Sequence, residues 1–339
     1  MKLGTLKNDT RDGTLCVVSR DLKRGLIAYN VAPTLQAALD DWEFAAPRLA
    51  EIYTALNRNT LTSRQFEVDF TQFLAPLPRA FGWLDGFGYP SHLERLRKPR
   101  GADATKGSLR GLPIAHCGST AFHCGSTAFI SACAPVLVAA EEWGIDLEGK
   151  IGAITGDVPM GVKYDKASST IRLLTLVSDF RLCNVVSAEE DGALWSPPQS
   201  VWTSFAPVAV TPDEFGDDWD TRKLKLPLMV HVNESRLGRL NCGTDMAINF
   251  PRLIAQAART HPLGAGTIIG SGPISNKDPS AGVACIAEQR AIETDKRGQP
   301  EMPYLRAGDR IRLEVTDATG QSAFGPINQA IAISEPIAS

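Results

Sequence analysis

From about residue 75 onward the chain is a series of short apolar runs separated by Gly and Pro, and this spacing limits the possible fold more than any other feature. Runs of this length, bounded by turn residues, read as strands rather than helices. The one sustained helical period in the stretch is Phe250 to Arg259. Leu226, Leu228, Val230 and Val232 alternate up to the turn Asn233-Glu234-Ser235, and Ile311, Leu313 and Val315 alternate up to Asp317-Ala318-Thr319-Gly320. Both patterns predict half-buried antiparallel strands. Thr267-Ile268-Ile269 lies between Gly264 and Gly272. It predicts a strand whose glycines either let the backbone approach a ligand or serve as plain turns.

The first 75 residues are built differently. Leu15, Val17 and Val18 follow the turn signal Asp12-Gly13, and Met1 to about Ala32 reads as β structure. Thr34 caps a helix with apolar positions Leu35, Ala38, Leu39 and Trp42; Pro47 breaks or restarts it before Leu49, Ile52, Tyr53 and Leu56, and it ends near Asn57. The expectation is therefore an α+β, β-rich chain, with a small N-terminal α/β domain over residues 1–75 and a larger domain over residues 76–339. A length of 339 residues suits one core with an appended module.

Composition narrows the functional classes. Charged residues are 22%, hydrophobic residues 43% and the net charge is −3, so bulk attraction for nucleic acid is not expected. The basic stretch Arg95, Arg97, Lys98, Arg100, Lys106 and Arg110 reads as a solvated loop. No run approaches the roughly 18 apolar residues of a membrane span, and Met1-Lys2-Leu3-Gly4 lacks the apolar stretch of a secretory signal, so the expected location is cytoplasmic. Seven scattered cysteines, none in a C-x-x-C pair, suggest free thiols rather than disulfides or zinc.

His116-Cys117-Gly118-Ser119-Thr120-Ala121-Phe122 is repeated at once as His123-Cys124-Gly125-Ser126-Thr127-Ala128-Phe129. A seven-residue tandem copy is too short for a solenoid unit and reads as a local duplication in a loop. It makes Cys117 and Cys124 candidate thiol nucleophiles beside a base. Neighbouring residues in a strand point to opposite faces, however, so adjacency alone brings no His and Cys together.

A series of collinear motifs resembles the fumarylacetoacetate hydrolase family, in its bacterial fumarylacetoacetase-like branch. The run Trp143-Gly144-Ile145-Asp146-Leu147-Glu148-Gly149-Lys150 through Gly156-Asp157-Val158-Pro159-Met160-Gly161 is similar to the segment that carries that family's E-x-E metal motif. Phe205 to Glu214, Asn241 to Met246, Gly266 to Gly272, Cys285 to Glu288 and Leu305 to Asp309 follow in the same order. The resemblance implies a mixed β-roll core with the active site at its mouth, a small N-terminal domain, and a homodimer. It also implies cleavage of carbon–carbon bonds beside a carbonyl in 1,3-dicarbonyl acids, with Mg²⁺ or Ca²⁺ held by oxygen ligands and water activated by a His–carboxylate pair.

Position by position, the resemblance places the metal ligands at Asp85, Glu148 and Asp179, the catalytic histidine at His92, its glutamate partner at Glu288, and a substrate contact at Tyr89. Other positions depart from the family. The second Glu of E-x-E is Lys150, the substrate-binding Arg is Cys183, the family's Lys is Ser200 and its strand-end Thr is Pro273. Residues two apart in a strand share a face, so Lys150 projects where Glu148 does. An ammonium repels a cation there and is expected to pair with Glu148 and Asp179 in its place.

Three readings follow. The first is a divergent enzyme acting on a β-dicarbonyl or polyketide-like small molecule without the family's metal, by decarboxylation, cyclisation or condensation. Its candidate groups are Lys150 (electrostatic or Schiff-base) and Cys183, Cys117 or Cys124 (thiol). The second is a metal-dependent C–C hydrolase of the fumarylacetoacetase or acylpyruvase type, and the third a non-catalytic binding protein on the same fold. No cofactor is expected, apart from Mg²⁺ or Ca²⁺ under the second reading.

Overall fold

The structure is a computed structural model that describes residues 1–61, 64–97, 129–184 and 200–334. The duplicated segment with Cys117 and Cys124 lies outside the described residues apart from Phe129, as do Lys98, Arg100, Lys106 and Arg110.

The chain begins with β1 (Lys2–Leu6), β2 (Thr14–Val18) and β3 (Arg24–Ile27), followed by helices α1 (Leu35–Asp40) and α2 (Trp42–Asn57) and then β4 (Phe66–Glu67). Next come β5 (Gly82–Asp85), α3 (Pro90–Arg97), β6 (Phe129–Ser131), β7 (Val136–Val138), β8 (Ile145–Thr155), α4 (Tyr164–Ser169) and β9 (Ile171–Leu182). Strands β10 (Ser200–Phe205), β11 (Val208–Val210), β12 (Trp219–Asp220), β13 (Lys223–Leu224), β14 (Pro227–Val232) and β15 (Ser235–Asn241) lead to α5 (Phe250–Ala257) and β16 (Thr267–Gly270). Helix α6 (Ile286–Arg297), β17 (Arg310–Val315) and β18 (Ile327–Ile333) complete the order.

Two large sheets carry the core. The first runs β4-β3-β2-β1-β11-β9-β8-β16-β5, with β10 on β9 and β6 on β10; the second runs β15-β14-β17-β18-β7. The N-terminal hairpin thus extends the large sheet, through the antiparallel pairing of Lys2 with Val210. Every residue of β8 is buried, because sheet and helices cover both its faces. The predicted strands pair with each other as β14 and β17, Leu228 opposite Val315, and β14 alternates buried and half-buried residues as expected.

The helical expectations need three corrections. Thr34 does cap α1, its hydroxyl accepting from the Ala37 amide, but the break falls at Asp41 and α2 runs through Pro47. Pro47 is the sixth residue of α2, so its missing N–H removes one bond of the ladder, yet the helix continues through it. Helices α3, α4 and α6 lie where no helix was expected. Only Ile286 and Glu288 of α6 are buried, so it presents no apolar stripe for periodicity to detect. Arg95, read as part of a solvated loop, sits on α3 and is paired with Glu288.

Candidate active site

Strands β8 and β9 place Glu148 directly opposite Asp179. Strand β16 lies antiparallel to β8 and parallel to β5, which sets Asp85 beside Gly270. A side chain at 270 would put its Cβ 2.3 Å from Asp85 Oδ1. The glycine-lined end of β16 therefore makes room for the Asp85 carboxylate, which is its physical role here.

Lys150, 1% exposed, reaches into the space that these strands enclose. Its Nζ lies 2.6 Å from Asp85 Oδ2, 2.8 Å from Glu148 Oε2 and 3.0 Å from Asp179 Oδ2. An ammonium has three N–H donors, and three carboxylates face them. The outer oxygens are engaged too. Asp85 Oδ1 accepts from the amides of Gly86 (3.1 Å) and Gly272 (3.0 Å), Asp179 Oδ1 from the Thr203 hydroxyl (2.8 Å), and Glu148 Oε1 from Arg181 Nη1 (3.4 Å). Burial alone would pull the Lys150 ammonium down; Asp179, Asp85 and Glu148 outweigh it and hold it well above its ordinary value. Glu148 is opposed by burial yet brought down to about 2 by Lys150 and Arg181. For Asp85, burial wins over Lys150 and the carboxyl is raised. A lysine held protonated in this way has no lone pair for a Schiff base, so of its two expected roles only the electrostatic one agrees with this cage.

His92 stands beside the cage, at the third position of α3, whose first residue is Pro90. Its Nδ1 is 2.7 Å from Glu288 Oε2. Glu288, in the first turn of α6, is fully buried; Ser275 Oγ (2.9 Å) and Arg95 Nη1 donate to its other oxygen. A ring nitrogen of His92, a Glu148 oxygen and Cys285 Sγ lie within 4.8 Å of one another, so the acid–base pair and the cage form one site.

Asp146 joins them from below. It is two residues before Glu148 on β8, and its carboxylate accepts from the amides of Ile286 (2.7 Å) and Ala287 (3.1 Å) and from the Cys285 thiol (3.2 Å). It caps α6 in place of a local residue, since Cys285 at the N-cap makes no such bond. Strand β8 thus sets both the cage and, through Asp146, the helix that carries Glu288. Asp146, Arg95, Ser275 and Arg181 were not singled out in the sequence. For Asp146 the signal was its spacing from Glu148, and for Arg95 its distance of three residues from His92 on a helix.

The remaining expected site residues fall in different surroundings. Cys183 is at the surface with its sulfur turned toward Asp146 (3.7 Å); packing around the sulfur, then Asp146 and Glu148, push its thiol pKa up, which keeps the proton on sulfur. Tyr89 is buried and donates to the Cys242 carbonyl, so its hydroxyl is spent within the protein rather than on a substrate. Pro273 is buried just beyond β16. The backbone of Ser200 begins β10, opposite Arg181; its side chain lies outside the described set.

Residues 1–79 match a family described as fumarylacetoacetase N-terminal domain 2, and residues 83–332 match fumarylacetoacetate (FAA) hydrolase C-terminal. No curated protein matches the chain. Among solved structures, maleylpyruvate hydrolase from Sphingobium sp. SYK-6 in complex with manganese(II) and pyruvate is 16% identical, with TM-score 0.62 over 99% of this chain and 100% of that one. Fumarylacetoacetate hydrolase from psychrophilic Exiguobacterium antarcticum is 15% identical, with TM-score 0.60 over 98% and 100%. A 5-carboxymethyl-2-hydroxymuconate delta-isomerase from Mycobacterium smegmatis is 15% identical, with TM-score 0.58 over 99% and 100%. At such identities the likeness establishes the fold.

Proposed function

Because this chain belongs to the fumarylacetoacetate hydrolase family, we propose that it is an enzyme acting on a β-dicarbonyl or polyketide-like small molecule, with His92 and Glu288 as its acid–base pair and the Lys150 ammonium in place of a divalent metal. The observation that carries this reading is the position of Lys150 Nζ, 2.6–3.0 Å from three carboxylates. Asp85, Glu148 and Asp179 have the chemistry of a hard-metal site, and their ligand atoms lie within 4.8 Å of one another. The related maleylpyruvate hydrolase was solved with manganese(II). As they stand here, however, the three do not fit a divalent ion. An ion at about 2.0–2.6 Å from the same oxygens would occupy the space of the ammonium nitrogen, and two such charges repel by several kcal/mol at an effective dielectric near 20.

The chemistry does not need the metal to begin. A C–H flanked by two carbonyls is acidic enough for an imidazole to remove its proton. Glu288 takes the Nδ1 hydrogen bond, which leaves Nε2 of His92 as the nitrogen that accepts that proton. The resulting enolate can close a ring or attack a second carbonyl; in a decarboxylation the enolate is instead the product of losing carbon dioxide, and protonated His92 returns a proton to its carbon. Lys150 offsets part of the negative charge of its three carboxylates, which lowers the electrostatic cost of forming an anion beside them. The enzyme is expected to be a cytoplasmic homodimer; among the described residues no helix is long and apolar enough to cross a membrane.

The test is proton exchange. In D₂O with a chelator present, the protein should accelerate deuterium incorporation between the carbonyls of 3-oxo acids and their esters, followed by NMR, and His92→Asn should abolish the acceleration. Exchange that appears only on adding Mn²⁺ or Mg²⁺ would favour the metal-dependent hydrolase instead. No acceleration with any 3-oxo compound, with or without metal, would favour a binding protein.

A further inference from the structure

Arg95 carries a second assignment. Its Nη1 donates to Glu288 Oε1 and faces Ser275 Oγ at 3.3 Å, while Nη2 donates to the carbonyls of Asn276 (2.7 Å) and Lys277 (3.3 Å). Both ends of the guanidinium fork are therefore fixed, which a single point charge could not achieve. Arg95 lies three residues after His92, so both side chains leave the same face of α3 and meet one carboxylate on α6.

That carboxylate has two possible states with opposite effects on His92. A fully buried carboxyl tends toward its neutral form. A neutral Glu288 would carry a proton that it could donate to Nδ1, and the imidazole would then hold its own proton on Nε2, with no lone pair left there. An ionised Glu288 can only accept; it draws the imidazole proton to Nδ1 and leaves Nε2 unprotonated. We propose that Arg95 is a positioning residue that keeps Glu288 an ionised acceptor, fixing His92 in the Nδ1–H tautomer with its Nε2 lone pair directed to substrate. Burial pushes Glu288 up, but the hydrogen bonds from His92 and Arg95 and the charge of Arg95 act against it, and the group is held below the usual glutamate range, in keeping with this role. Arg95 acts through Glu288.

This deepens the reading of His92 and Glu288 as the acid–base pair and rests on it, but the test reads the tautomer directly. The chain has five histidines, so the imidazole ¹⁵N spectrum of labelled protein is simple, and His92→Gln identifies the His92 signals. The wild-type protein should show His92 protonated on Nδ1 and bare on Nε2. Arg95→Met should mix in or switch to the Nε2–H pattern, Arg95→Lys should fall between, and guanidinium ion added to Arg95→Ala should restore the wild-type pattern. In the exchange assay kcat should fall at least tenfold for Arg95→Met with KM changed less than twofold. An Nε2–H tautomer in the wild type would overturn the proposal without any variant, as would a folded Arg95→Met protein with the wild-type imidazole spectrum. Failure of the exchange assay alone would count against the proposed reaction and leave the tautomer result standing.

Discussion

Replacing Lys150 by glutamate would restore a second carboxylate on the β8 face and add it to the three that already converge. At 2.8 Å and an effective dielectric near 20, each contact of Lys150 with a carboxylate is worth about 6 kcal/mol before desolvation. Reversing all three would exceed the whole stability of a typical domain, about 5–15 kcal/mol. The variant relaxes instead by taking up a proton. Protonating a carboxyl of ordinary pKa near 4 costs about 4 kcal/mol at pH 7 and about 1.4 kcal/mol at pH 5. Metal-free Lys150→Glu should therefore lose about 4 kcal/mol at pH 7 and recover most of it at pH 5. Mn²⁺ at 1 mM, bound with a Kd of about 10 μM, would return about 2.7 kcal/mol and raise the thermal midpoint by on the order of 5 °C.

Calorimetric titration and thermal unfolding with and without Mn²⁺, Mg²⁺ and Ca²⁺ measure both quantities. The wild-type midpoint should not move with millimolar metal. Tight binding to the wild type would refute the assignment of Lys150 to the metal's place and restore the metal-dependent reading. A Lys150→Glu protein that neither binds metal nor gains stability at pH 5 would refute the premise that Asp85, Glu148 and Asp179 share one electrostatic site.

Three further outcomes follow from the same geometry. Glu148 is brought down to about 2 from an ordinary 4.5, so its contribution is present above pH 4.5 and lost as pH falls from 4.5 to 2, by up to about 3 kcal/mol; Asp85, raised by burial, opposes this, and urea titrations should show a shallower acid slope in Lys150→Met. Asp146→Ala leaves the amides of Ile286 and Ala287 without their acceptor and should cost about 1–3 kcal/mol by urea denaturation, with protection lost at the start of α6 in hydrogen exchange. Cys183, though at the surface, should react with iodoacetamide at pH 8 more than tenfold slower than a cysteine in a short peptide, because its thiol is raised by packing and by Asp146.

The electrostatic plan was legible because a strand's two-residue period is rigid. Once Ile145 to Thr155 reads as a strand, Glu148 and Lys150 must share a face, and a lysine there needs carboxylates. That expectation named two of its partners, Glu148 and Asp179, and the resemblance placed Asp85 with them as a ligand position; the parallel pairing of β5 with β16 is what brings it to Lys150. What the sequence hid was the support. Helix α6 buries so little apolar surface that periodicity overlooks it, and its cap comes from Asp146, 140 positions earlier in the chain. Arg95 sits in a basic stretch whose composition suggests solvent, while its partner is almost two hundred residues away. Tyr89 shows the opposite case, a position that the resemblance marked for substrate but whose hydroxyl is satisfied by the Cys242 carbonyl.

Charge balance explains why such a substitution would persist. Three inward carboxylates destabilise a fold unless a cation lies among them, and a metal supplies that cation only while its free concentration exceeds its dissociation constant. A lysine two residues from one of the carboxylates supplies it covalently, at any metal concentration. The exchange has a chemical cost, since a monovalent ammonium with all three donors engaged cannot also chelate a dicarbonyl. On the reading proposed here the proton transfer then falls to Nε2 of His92, and the tautomer held by Glu288 and Arg95 would matter more than it would beside a metal.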